Sequence, residues 1–490
     1  MRIKAFISGV ALLAAAGAVV VGALELDAEP TAEITASAYT PDASTLALVC
    51  SGGAERSVEG GINVEEVDEA IAGSPVVASL GDGSVTWMND AGEVTVDNTM
   101  LGADLFTASE LGLDEARGFL YVDSELARET RIAGSSTANI GAGDLRGHAT
   151  NPCQWATNSM WLVGSNSELG SYNRLIISNP TLTTITVKMT GYSSLGLLDL
   201  GTQAQISLAA QSHTVINLDG VLDIDPRVAL HLSTDSGAFA ASLQSNHLDG
   251  YTPAGFTFVT NSLMSREITI PGVVIAANDT EAFDAEISES LSDPNQTVQL
   301  RLVNPSDEMI DVDVYTISTG APELLAGGKD IAIGANSVLD LSLSGLAPGD
   351  YAIRVVSEVD VTASVIMTYS TSGVGTDTAV AAAQAQITRG GAAFTDASGR
   401  LVITAEEGAQ VAWTAYDSEG AEISSGAQDI VGTGGIGLPE GTHFVWLNST
   451  HPVYAGVSLT SNLSEGYGIS WIPLTSGAAD TQVVRIALAP

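Results

Sequence analysis

Two stretches set the frame. Ile185, Val187 and Met189 alternate with Thr186, Lys188 and Thr190, and the same alternation returns as Ile310, Val312 and Val314 against Asp311, Asp313 and Tyr315. A period of two with one polar side predicts antiparallel strands that bury one face and wet the other. Each stretch is preceded by another strand and an Asn-Pro step, "RLIISNP" at Asn179-Pro180 and "RLVNP" at Asn304-Pro305. Proline fixes φ and removes a ladder donor, so this step reads as a turn between two strands. Ser212 follows Asn179 at the same interval as Ser337 follows Asn304. A third copy lacks Asn-Pro but keeps the alternation at Val411, Trp413 and Ala415, and closes on "AYDSEG".

Many short strands separated by turn residues predict an all-β chain of tandem immunoglobulin-like antiparallel β-sandwiches, strung as beads with separate cores. The expected division is 1–26 signal or anchor segment, 27–45 extended spacer, 46–150 irregular β-rich region, 151–265 first sandwich, 266–385 second and 386–490 third. The repeat period is too long for a solenoid or a propeller blade.

The first segment changes the picture of location. Arg2 and Lys4 precede a charge-free apolar run from Ala5 to Leu24, about 20 residues and long enough to cross a bilayer as a helix. Two readings fit: an anchor with its basic end inside, or a secretory signal cleaved after "VGA". Both export the rest. The Pro/Ala/Thr-rich stretch that follows reads as a spacer. The chain carries 58 Asp and Glu against 17 Lys and Arg, a net charge of -41. Nucleic acid and anionic headgroups are thereby excluded as partners, because both are bound through basic contacts.

Cys50 and Cys153 are the two cysteines. An even count in an exported chain predicts a disulfide, with two unpaired buried thiols as the alternative. A bridge closing so long a loop is worth about 4–5 kcal/mol by loop entropy. It is expected to tie the region 46–150 to the first sandwich.

Candidate chemistry is sparse. "DIDP" and "DVDV" lack the glycine turn and closing Glu of a calcium loop. The six histidines are scattered without metal-ligand spacing, and no nucleophile elbow, zinc-protease motif or phosphate loop occurs. No catalytic residue, cofactor or metal ligand is therefore assigned. The best polar cluster is "NHLDGYTP", with Asn246, His247, Asp249 and Tyr251. It is either a binding loop or a strand-capping turn at Asp249-Gly250. Trp155 and Tyr172 are the aromatic candidates for an exposed surface, while Trp413 and Trp446 sit on core faces.

"LVCSGG", "NPCQWATNSMWLVG", "LIISNP", "SNHLDGYTPAGFTFV" and "LRLVNPSDE" occur in that order. In these pieces the chain from about Leu46 to Pro490 resembles an actinobacterial exported family catalogued only as a domain of unknown function. It departs at "VCSGG", where that family often has Pro after Cys. The resemblance implies an envelope-associated protein and supplies no activity or catalytic residue.

Two functions follow as expectations. One is a non-enzymatic envelope scaffold that meets a protein partner. The other is an array of modules binding cell-wall glycan through exposed aromatics. The membrane is touched through the N-terminal helix alone, and the oligomeric state is left open. A pocket joining "NHLDGY" to a second charged cluster would reopen an enzymatic reading.

Overall fold

The computed structural model describes residues 37–39, 45–55, 74–80, 83–89, 94–100, 103–107, 117–123, 131–276, 295–343, 345–371, 373–476 and 484–486. The expected anchor at 1–26 and nearly all of the 27–45 spacer lie outside them. Among the described residues no helix is long and apolar enough to cross a membrane. Two units are separated: 1–41 with 482–490, and 42–481. In the first, β1 (Ser37–Tyr39) pairs antiparallel with Val484–Ile486, the last strand of the chain. All else concerns the second, which is all-β.

The scheme is clearest where the Asn-Pro steps lie. Residues 159–259 supply strands we letter a to g. They are β11 (Ser159–Ser165, a), β12 (Ser171–Asn179, b), β13 (Ile185–Ser193, c), and β14 (Gly196–Leu198) with β15 (Gln205–Leu208) as c′. The series ends with β16 (Ser212–Asn217, d), β17 (Val228–Thr234, e), β18 (Ala240–Asp249, f) and β19 (Thr252–Val259, g). One sheet runs a-e-c-c′ and the other d-b-f-g. Between them lies a core of Leu162, Leu175, Val187, Leu230, Leu243 and Val259, among others.

Residues 264–382 repeat the scheme with β20 (Met264–Ile275, a), β21 (Asn295–Asn304, b), β22 (Ile310–Ile317, c), β23 (Glu323–Leu324) and β24 (Ile331–Ile333) as c′, β25 (Ser337–Ser342, d), β26 (Gly349–Thr371) and β27 (Gly375–Ala382, g). Here e and f are one long strand. The first part of β26 pairs with a and c, and its second part pairs with b and g. A separate core holds Ile270, Leu300, Val314, Val355 and Val365.

Each Asn-Pro step is built alike. Nδ2 of Asn179 donates to the carbonyls of Thr183 (2.8 Å), Leu208 (3.3 Å) and Ala209 (2.7 Å). Nδ2 of Asn304 donates to Glu308 (2.7 Å), Ile333 (3.3 Å) and Gly334 (2.8 Å). Each Oδ1 accepts from the backbone N–H and hydroxyl two residues on, at Thr181 and Ser306. The serines noted in the sequence, Ser212 and Ser337, cap the same turns through the carbonyls of Ala209 and Gly334. The buried amide thus satisfies carbonyls that no strand reaches.

Residues 387–473 keep the pairing without the Asn-Pro turn. The strands are β28 (Ile387–Ala393), β29 (Ser398–Tyr416), β30 (Glu422–Gly437), β31 (Phe444–Asn462) and β32 (Tyr467–Pro473). With no proline to stop it, b runs on into c as one strand, and a register shift between Ala405 and Ala409 moves it from one sheet to the other. β33 (Thr475–Ser476) extends the edge beside β28.

Where the sequence suggested an irregular β region, the pairing is complete. The strands are β2 (Thr45–Ser51, a), β3 (Ser74–Leu80, b), β4 (Gly83–Asn89, c), β5 (Val94–Met100, c′), β6 (Ala103–Thr107, d), β7 (Arg117–Asp123, e), β8 (Arg131–Ile140, f) and β9 (Gly147–Pro152, g). They pair a-e-c-c′ and d-b-f-g as in the other copies. The Cys50–Cys153 disulfide forms. It joins strand a to the residue after strand g, with β10 (Gln154–Trp155) laid on the free edge of β2. The bridge therefore closes this first copy on itself rather than tying it to the next sandwich.

The copies are not beads on a string. Contacts run from first to second (Tyr121 Oη donates to the Pro180 carbonyl, 2.8 Å), second to third (Arg301 to Ser165 and Pro226), third to fourth (Thr433 N–H to Ser318, 2.6 Å) and fourth back to first (Ser135 hydroxyl to Ala393, 2.6 Å). The four g strands, β9, β19, β27 and β32, meet at the centre of this ring. Buried Asp377 of β27 accepts there from the backbone N–H of His148 (2.9 Å), Ile469 (2.8 Å) and Phe256 (3.4 Å), one donor from each other g strand. Each donor follows a glycine. A Cβ on Gly147 would stand 2.5 Å from the Asp377 carboxylate, and one on Gly468 would stand 2.4 Å from His148 Cβ, so side chains there would force the strands apart.

Replacing Asn179 or Asn304 by Ala strands three carbonyls. We expect a loss of about 2–3 kcal/mol for either, against under 1 for the exposed Thr183→Ala, read from urea midpoints. A second prediction concerns pH. Burial lowers His148 to about 4 and His213 to about 3. Their stabilisation is full above the unfolded value near 6.5 and is lost as pH falls toward those values. Burial raises Asp377 to about 7 against the pull of its N–H donors and Arg146. The folded state then takes up that proton first, and this one group favours folding as pH drops from 7 to 4. Two histidines outweigh one aspartate, so stability falls from pH 6.5 to 4.5. His213→Asn should flatten that slope, and an unchanged slope in urea titrations would contradict the assignment.

Candidate functional site

A cleft of about 490 Å³ opens between the second and third copies. One wall is the end of β11, the turn after it and the neighbouring strands β18 and β19. The other is β21, β25 and β26. Arg301 and Asp340 face each other across the β21–β25 ladder. The guanidinium of Arg301 is buried and holds Asp340 through two bonds, Nε to Oδ1 at 2.8 Å and Nη2 to Oδ2 at 2.9 Å. Two of its three remaining hydrogens reach the Ser165 carbonyl and, at 2.8 Å, the Pro226 carbonyl. Arg227 stands 3.6 Å from the same carboxylate. The charge on Arg301 is thus used in joining two sandwiches.

"NHLDGY" meets this cluster. Asn246 and His247 line the cleft with Glu168, Arg227 and Arg301. That is the juxtaposition that would reopen an enzymatic reading, so its chemistry decides. Nδ1 of His247 lies 2.9 Å from the Ser171 hydroxyl, which also bonds Asn166. Ser159 with His231 (3.0 Å) and Ser178 with His213 (2.6 Å) are further serine–histidine pairs, and the rings of His231 and His213 stack on Trp161 and Phe119. His231 and His213 are held below their ordinary value by burial. These are pairs between paired or adjacent strands. In a catalytic triad the histidine is instead oriented by a carboxylate on its far nitrogen. Arg301 and Asp340 neutralise each other. The cleft can hold a small polar molecule: the Ser165 hydroxyl and Oδ1 of Asn246, both on its lining, are buried there without a hydrogen-bond partner.

The sequence candidates separate. Trp155, in β10, is half-buried and donates from Nε1 to the Ser476 carbonyl at 3.0 Å, far along the chain from the cleft residues. Tyr172, half-buried in β12, stands opposite Asn246 of β18. Asp249 pairs with Thr252, so Gly250 and Tyr251 form a two-residue hairpin loop, with Gly250 at φ 64° and Tyr251 73% exposed at its tip. Tyr172, His247, Asp249 and Tyr251 thus share one region, and Trp155 does not. Trp161, Trp446 and Trp471 are buried. Arg301, Asp340 and Asp377 were missed. An arginine among the apolar residues of a strand, Leu300-Arg301-Leu302-Val303, was the available signal for the first. Nothing local marks the others, whose partners come from distant strands. Among the described residues no cluster of three His, Cys, Asp or Glu could hold a metal.

The family profile DUF5719, described as a family of unknown function, matches residues 108–436. The chain belongs to this family. The match begins within the first copy and ends in β30 of the fourth, so DUF5719 covers the second and third copies whole, with the cleft between them, and leaves β31 and β32 outside. No curated protein matches. A solved structure, "Structure of infectious bursal disease virus Gx strain", aligns over 89% of this chain and 82% of that one at 9% identity, with a TM-score of 0.11. At that score the likeness carries no argument.

Breaking the interdomain cluster has a defined cost. Arg301→Met should destabilise by roughly 2–4 kcal/mol because Asp340, 14% exposed, is left with Arg227 alone beside it and two carbonyls lose their donor. Arg301→Met with Asp340→Leu should regain part of this. A double-mutant cycle from urea unfolding measures the coupling, and additivity of the two losses would deny it.

Proposed function

We propose that this protein is a non-enzymatic scaffold of the cell envelope, exported and held at the outer face of the cytoplasmic membrane by residues 5–24 or released after their cleavage, where it presents protein-binding surfaces. The observation that carries this reading is the closed ring. Four sandwiches share their central strands through one carboxylate, so the loops and outer strands face outward from a rigid frame. This is the arrangement in which binding loops work. In finer detail we read each copy as immunoglobulin-like, with borders near 150, 265 and 385. The actinobacterial cell surface is the setting that the sequence resemblance suggests.

A glycan-binding array is the second reading. It requires aromatic rings on show, and among the described residues the large exposed apolar side chains are aliphatic except Tyr251. This favours a protein partner over stacking on sugars.

Fractionation tests the location: an anchored protein remains with membranes after a salt wash and is digested by protease added to spheroplasts, a cleaved one is found in the medium, and protection inside spheroplasts would overturn export. Cross-linking in intact cells should join it to another protein. Retention on purified cell-wall glycan with no protein adduct would support the second reading instead.

A further inference from the structure

Four loops lie at one end of the copy formed by residues 159–259. They are the a–b loop at 166–170, the c–c′ turn at 194–195, the d–e loop at 218–227 and the f–g turn at 250–251. Each carries one large apolar side chain turned to solvent: Leu169 (83% exposed), Leu195 (93%), Ile224 (68%) and Tyr251 (73%). Solvent exposure of single apolar residues is ordinary, but four on adjoining loop tips form a surface.

The loops are laced together. Buried Asp225 accepts from the Ser194 hydroxyl (2.5 Å) and backbone N–H (3.2 Å), and its carbonyl accepts from Ser167 N–H at 2.8 Å. The Ser167 hydroxyl reaches the Asp223 carbonyl. Leu248 N–H donates to the Gly170 carbonyl at 2.9 Å, joining the f–g hairpin to the a–b loop. The apolar tips are therefore presented at fixed positions, with little ordering entropy left to lose on binding.

Charge selects the partner. Glu168, Asp199, Asp223 and Asp249 are exposed around these tips, and the loops contain no lysine. Their one cation, Arg227, stands beside Asp340. A second copy of this chain would bring like charge to like, and anionic lipid would be repelled in the same way.

We propose that this end of the 159–259 sandwich is a docking surface for a basic protein partner, one that offers an apolar centre ringed by Lys and Arg. The proposal rests on the scaffold reading and names the partner class for it.

The test uses the full chain and a model helical peptide made of Leu and Lys, with a Leu/Glu peptide of the same pattern as control. The Leu/Lys peptide should bind and protect the four loops from hydrogen exchange. Leu169→Ser with Leu195→Ser and Ile224→Ser should weaken it tenfold or more. Glu168→Lys with Asp223→Lys should weaken it similarly and reduce its salt dependence. Leu182→Ser with Met309→Ser, exposed positions on the b–c turns, should change nothing. Thermal melting checks that each variant stays folded. Equal binding to the triple serine variant would mean that net charge alone attracts the peptide, and would overturn the proposal. So would equal binding of the Leu/Glu peptide, or a preference for phosphatidylglycerol vesicles lost in the triple variant. The scaffold reading is judged separately by the cell cross-linking: protein adducts mapping elsewhere leave it standing while this surface fails, and no adduct at all removes it.

Discussion

The buried carboxylate of Asp377 is the constraint on which the rest of the structure depends. A charge-bearing group at the centre of a β protein has a large desolvation cost, and it persists only where donors converge on it. Here the donors are backbone amides of the three other central strands. Backbone amides cannot be supplied unless all four sandwiches are in register about the same line. Nearby, Arg146 donates to the carbonyls of Glu465 (3.0 Å from Nε) and Tyr467 (3.2 Å), binding the first copy to the fourth. The ring is thus specified by polar satisfaction as much as by apolar burial.

That dependence explains the glycines of the central strands. Where the central strands converge on the carboxylate, a Cβ at Gly147 would strike Asp377 itself, one at Gly255 the Thr378 hydroxyl and one at Gly468 His148. It also explains why the outer elements can vary. The second and third copies break b from c at Asn-Pro, the fourth runs through with a bulge, and e and f are separate strands in the first two copies and continuous in the last two. None of this alters strand g.

The cleft and the proposed docking surface sit on the same frame. At the cleft Arg301 joins two sandwiches, and it and Arg227 share the Asp340 carboxylate. The loop tips of the 159–259 copy, which we propose as a docking surface, combine acidic and aliphatic side chains. A surplus of carboxylates keeps such a surface soluble while leaving its apolar tips exposed.

The alternating strands, the Asn-Pro turns, the serines that cap them and the disulfide partners were legible in the sequence because each is a local or pairwise pattern. Period two follows from the pleat, and Asn179 and Ser212 recur as Asn304 and Ser337 because the same turn needs the same donors. The first copy was not legible. Its strands lack the Asn-Pro landmark, and their identity rests on which strand pairs with which, a long-range property. Tertiary structure alone decided that the Cys50–Cys153 bridge closes that copy on itself, that four sandwiches form a ring instead of a string, and that "NHLDGY" meets Arg301. Asp377 reads in the chain as one aspartate in "GTDTAV"; its role is set by amides from strands far away in sequence, and no local pattern encodes where those will be.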